Sequence, residues 1–186
     1  MAFEFRHILL LLGIVSIILS FLFFGRATKT YDTIILSGLT ISIITYLIII
    51  IKDNKRNKIL WTLVVFAGIS VQLFTEPLLI RCSYLFFLRQ NEKEFIKINQ
   101  VLLSKTRNIT WVHDSTLWKR NGLSTEEGMI IKNLVNSNKI SLIEKDYATI
   151  YYRTFGMLDV SHGIFYFYTP EKPDSRYRHI YGNWYY

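Results

Sequence analysis

The chain has 186 residues, of which 51% are hydrophobic and only 19% charged, and it carries a formal net charge of +8. That balance excludes a disordered or collagen-like chain and argues against an ordinary soluble enzyme, while one cysteine excludes an internal disulfide or a cysteine-rich zinc site. What remains is an integral membrane protein with a small polar domain.

The apolar residues are concentrated at the front. Three uncharged or nearly uncharged runs predict transmembrane helices over about 8–24, 33–51 and 59–80, because a ~30 Å hydrocarbon layer needs about 20 residues of helix. Gly25-Arg26-Ala27 loosely resembles a signal-peptidase site. However, the run before it exceeds the 7–15 residues of a signal peptide, so the first span is expected to be retained. The short loop Lys52-Asp53-Asn54-Lys55-Arg56-Asn57-Lys58 holds four basic residues. This places the N-terminus and that loop in the cytoplasm of a cell inner membrane, with the C-terminal domain outside. Arg81 and Arg89, just past the third span, count against that assignment.

Small residues punctuate the spans: Gly13, Ser16 and Ser20, then Ser37, Gly38, Ser42 and Thr45, then Ala67, Gly68 and Ser70. Such residues let helices approach closely, within the bundle first and in an oligomer or a lipid crevice second. Glu76-Pro77 falls near the outer interface, where a structural role outweighs proton handling. Leu78 to Leu88 either prolongs the third span as a stalk or lies along the membrane. The membrane domain is thus expected to occupy residues 1–82.

Residues 83–186 read as an α+β domain of two helices on four or five mostly antiparallel strands. Asn91 with Glu94 predicts a helix whose Phe95, Ile98, Val101 and Leu102 share a face. Ser124-Thr125-Glu126-Glu127 is a capping box that opens a second helix, with Met129 or Ile130, Ile131, Leu134 and Val135 as its buried stripe. Strands are predicted at 109–113, 140–144, 147–155, 163–169 and 179–186. The domain holds 19 of the 29 aromatic residues. Its sheet is expected to bury one aromatic face against the helices and to show the other to a partner.

Chemistry is sparse. His113-Asp114 are strand neighbours that point to opposite faces. Asp159, Ser161 and His162 read as a turn before the aromatic strand rather than a triad, which gathers residues from separate segments. Catalytic residues, metal ligands and cofactors are therefore expected to be absent. Ligand contacts, if any, are assigned to Arg153, Asp159, His162 and Trp184. The domain's modest surplus of base forms no cluster, so nucleic acid is not an expected partner. The lipid bilayer and a protein are, and an oligomer is compatible.

The richness in Ile, Lys and Asn is similar to that of AT-rich bacterial genomes. The reading is thus a bacterial, non-enzymatic membrane protein whose C-terminal domain binds a protein or envelope component. Immunity proteins and accessory subunits are built this way. The alternative is a membrane-anchored sensor or effector that uses this domain as a ligand receptor.

Overall fold

A computed structural model describes residues 4–24, 28–111, 122–138, 140–157, 160–169 and 173–186. The chain divides into two compact units, Met1–Ser83 and Tyr84–Tyr186.

The first unit is built from helices α1 (Phe5–Ser20), α2 (Thr28–Lys52) and α3 (Lys55–Gln90), the last of which runs on into the second unit. A 3₁₀ turn, Phe21–Phe23, prolongs α1. All three are long and apolar enough to cross a membrane. Their outward surface is apolar: Phe74 is 85% exposed and Leu36 67%. Hydroxyls on that surface are consumed locally. Ser37, Thr40, Ser70 and Thr75 each donate to a carbonyl three or four residues back, which satisfies these donors within their own helices.

Helices α1 and α2 touch through their glycines. A Cβ on Gly13 would lie 2.3 Å from Ser42 Oγ and 3.0 Å from the Gly38 carbonyl oxygen. On α3, a Cβ on Gly68 would lie 2.7 Å from Ile14 Cγ2. The expected small-residue packing is therefore real at Gly13, Gly38, Ser42 and Gly68, whereas Ala67 and Ser70 face outward. Leu10, Ile49 and Trp61 form the buried cluster at the end of the bundle that holds the α2–α3 loop.

Pro77 neither ends nor interrupts α3, which spans 36 residues from Lys55 to Gln90. Proline forfeits one backbone bond, and the apolar run on either side, of good helix formers, carries the helix past it. Leu78–Leu88 is therefore an extension of the helix, the first of the two arrangements expected for it.

The second unit adds α4 (Glu92–Leu103), α5 (Thr125–Asn138) and six strands: β1 (Ile109–Trp111), β2 (Leu142–Lys145), β3 (Thr149–Met157), β4 (Val160–Phe167), β5 (His179–Tyr181) and β6 (Trp184–Tyr185). All pairings are antiparallel, in the order β1-β2-β3-β4-β6-β5. The sheet has one strand more than expected because the last segment folds back on itself. Gly182 adopts φ +52°, a left-handed conformation natural to glycine, and reverses the chain between β5 and β6. Ser161 and His162 are strand residues of β4 rather than loop residues, since β3 and β4 close into a hairpin with Met157 opposite Val160. The β2–β3 turn is held by Asp146, whose Oδ1 accepts from the amides of Ala148 at 2.8 Å and Thr149 at 2.6 Å.

The helix faces differ in detail from the expected ones. On α4, Phe95, Ile98, Asn99 and Leu102 are buried, an i, i+3, i+4, i+7 stripe in which Asn99 takes the place expected of Val101. Asn91 does not cap α4 with its side chain; its amide donates to the Phe87 carbonyl at 2.8 Å and closes the end of α3. On α5 the reciprocal Ser124–Glu127 bonds form at 2.7 and 3.2 Å. Lys105 pairs with Glu127 at 2.8 Å and, with the Ser124 amide, holds its carboxyl below the ordinary value. Met129 and Ile130 are exposed, while Ile131 and Val135 are buried.

Candidate functional site

The side chains of a sheet alternate between its faces, and the register of this one sorts its aromatic residues into two sets. Tyr152, Ile150, Ile164 and Trp184 are buried. Phe95 of α4 meets Tyr152 and Trp184 edge-on, with ring centres 5.0 and 5.2 Å away. The Tyr152 hydroxyl donates to Asn99 Oδ1 at 2.6 Å, and burial pushes its pKa well above the usual tyrosine value. This phenol is a fixed internal donor.

The opposite face is not covered by α4. A single row of directly opposed residues crosses all six strands: Thr110, Glu144, Tyr151, Phe165, Tyr185 and His179. Thr110, Glu144 and His179 are exposed, and the three rings between them are half-buried. Tyr151 and Phe165 stack with centres 4.5 Å apart and planes 22° from parallel. Tyr177, from the segment before β5, stands edge-on to Phe165 and Phe167 at 4.9 and 5.2 Å. Phe167 in turn meets Tyr185 at 5.2 Å. A concavity of about 430 Å³ opens over this cluster, walled by Thr110, Glu144, Asp146, Tyr151, Phe165 and Tyr177. It combines an aromatic floor with the polar groups of Asn108, Thr110, Glu144, Lys145 and Asp146 around it.

A second concavity, of about 530 Å³, lies between α4 and the β5–β6 turn, with Glu92, Asn99, Gln100, Tyr166, Asn183 and Trp184 in its wall.

In the first unit the polar side chains converge on Asp53. Its carboxylate is completely buried and meets the Arg6 guanidinium at 2.7 Å and His7 Nε2 at 3.1 Å. The Glu4 amide donates to His7 Nδ1 at 3.1 Å, so the proton on this ring sits on Nε2 and points at Asp53. The ring stacks on Trp61 at 4.5 Å, 5° from parallel. One residue of the α2–α3 loop thereby ties down the start of α1.

No family model, curated protein or solved structure matches this chain. Its function has to be argued from these sites.

Three of the four positions assigned to ligand contacts lie among the described residues, each in surroundings of its own. Arg153 donates from Nε to Ser141 Oγ at 3.0 Å, and its carbonyl accepts from the Ser141 amide, so it stitches the approach to β2 onto β3. His162 is half-buried on β4 opposite Phe155, and burial lowers its pKa below the ordinary histidine value. Trp184 is buried against α4 and borders the second concavity. Asp159 and the pair His113-Asp114 lie outside the described residues. Among the described residues no group of three His, Cys, Asp or Glu is placed to hold a metal ion.

Three features escaped the sequence reading. Tyr177 falls outside every predicted strand, yet its ring completes the aromatic cluster. Thr110 and Glu144 carried no signal beyond strand alternation. The Asp53 cluster draws on residues 46 positions apart, and only the antiparallel pairing of α1 and α2 brings them together.

Proposed function

We propose that this is a non-enzymatic protein of a bacterial cytoplasmic membrane, anchored by three spans, whose C-terminal domain binds a protein partner through the open face of its sheet. The observation that carries the reading is the row from Thr110 to His179 with its aromatic centre uncovered by α4. Aromatic area of this kind is a hallmark of protein interfaces, because tyrosine brings large contact area at small entropic cost.

The test is affinity purification of the tagged full-length chain from its own membranes. Replacing Thr110 and Glu144 with arginine sets two charges on exposed strand positions at the edge of the cluster. The amount of co-purified partner is expected to fall about tenfold, the equivalent of one disrupted hot spot. Lys132→Glu, on the exposed side of α5, is expected to leave it unchanged. Equal recovery with the arginine variant removes the open face from consideration.

The basic loop supports a cytoplasmic N-terminus, with Lys52, Lys55 and Arg56 all exposed. Alkaline phosphatase fused after Tyr186 is then expected to be active. An inactive fusion, together with a fluorescent one of the kind that folds only in cytoplasm, reverses the orientation.

A second reading, a membrane-anchored ligand receptor, draws on the 530 Å³ concavity beside α4. Its volume is that of a small-molecule site. Binding of a metabolite that survives the Thr110/Glu144 changes and is lost on Asn183→Trp would favour it.

A further inference from the structure

Helices α2 and α3 part between two fastened ends, while α1 touches both of them. At one end the Tyr46 hydroxyl bonds Thr62 Oγ1 at 2.9 Å, beside the Leu10–Ile49–Trp61 cluster. At the other, Ser83 Oγ donates to the Phe24 carbonyl at 3.0 Å, and Phe24 and Phe21 meet Tyr31 edge-on at 5.5 and 5.8 Å. Between these fastenings α2 and α3 leave a crevice of about 410 Å³ with α1 as its third wall. Its walls are almost wholly aliphatic, supplied among others by Ile14 and Ile17 of α1, Leu39 and Ile43 of α2, and Ile69 of α3. Three polar side chains, Ser42, Tyr46 and Gln72, interrupt them. Ser42 Oγ is buried without a hydrogen-bond partner among the described residues, and Gln72 borders the crevice from α3.

We propose that this crevice is a binding site for one acyl chain of a membrane phospholipid. The inference rests on the three helices crossing a bilayer and is independent of what the sheet face binds. Size selects the occupant. The wall contributed by α2 runs from Ile35 to Tyr46, about 16 Å of helix. At the ~30 Å³ of a water-sized group, 410 Å³ admits roughly fourteen methylenes, the length of a common fatty acyl chain. The largely aliphatic lining disfavours water, and the crevice is open at its side, where Leu39, Ile43 and Ile69 are exposed. Fastening at both ends keeps the slot open, so a chain that enters sideways between α2 and α3 exchanges more slowly than lipid on the outer surface.

The experiment uses the full-length chain in detergent, stripped of native lipid and then offered a phosphatidylglycerol with sixteen-carbon chains, with native mass spectrometry as the readout. One equivalent is expected to survive detergent exchange. The double variant Leu39→Trp, Ile69→Trp fills the crevice from two partly exposed wall positions and is expected to retain about tenfold less. Ile8→Trp, which adds the same bulk at an exposed position outside the walls, retains as much as the parent. A parent chain that keeps no lipid overturns the proposal, as does one that keeps several in numbers the double variant matches. A parent that appears as a dimer and sheds its lipid assigns the crevice to a second copy and overturns it as well. Should the double variant not unfold cooperatively, Ile43→Phe replaces it under the same criteria. A chain that leaves carbonate-washed membranes refutes the membrane reading itself, an outcome separate from all of these.

Discussion

Asp53→Ala is expected to lower the stability of the full-length chain in detergent by about 3 kcal/mol, the lower end of the range for breaking a buried ion pair. The carboxylate has no exposed surface and holds both Arg6 and His7. Removing it leaves a guanidinium that is only 21% exposed facing an apolar wall. Glu4 already holds Arg6 at 2.6 Å and takes up part of the loss, which is why the lower end applies. Thermal unfolding followed by circular dichroism is expected to show a midpoint about 6–12 °C lower. Asp53→Asn keeps an acceptor for His7 Nε2 and should fall between the two. An unchanged midpoint for Asp53→Ala would mean that Asp53 does not fasten the loop to α1.

Gly163→Ala is expected to cost about 3 kcal/mol, the upper part of the usual range for overpacking. Gly163 sits opposite Arg153, next to the irregular register between Arg153 and Phe155. The added Cβ would lie 2.2 Å from the Tyr152 carbonyl oxygen and 2.6 Å from Tyr151 Cε2. The first neighbour is backbone and cannot yield cheaply; the second is the ring that covers the glycine from the adjacent strand. Displacing that ring unstacks Tyr151 from Phe165, so the near-ultraviolet circular dichroism of the aromatic cluster is expected to weaken along with the stability. A variant with the parental midpoint and spectrum would show that β3 and β4 do not approach this closely.

These two positions also mark where the sequence was legible. The aromatic run of β4 announced a strand, and alternation along β3 already implied one buried and one open face. Gly163 was visible as the start of that strand, but the close approach that demands glycine was not, because it depends on a register irregularity. The last strand was read through Gly182-Asn183 as continuous, since aromatic residues on both sides outweighed one glycine; the positive φ of Gly182 is what divides it. Asn99 belonged to the apolar stripe of α4 by spacing alone. It was passed over as polar, although a buried tyrosine hydroxyl on the sheet supplies its partner. In the spans the order of helices followed from hydropathy. The crevice between them did not, because it depends on how far α3 stands from α2.

Anchoring, orientation and the lipid crevice all depend on the solvent of α1, α2 and α3. Sedimentation of the full-length chain after washing cell membranes with alkaline carbonate measures this directly. The protein is expected to remain in the pellet and to come into solution only with detergent. Recovery as a monodisperse species in the carbonate supernatant would contradict the anchoring, the orientation and the lipid crevice together.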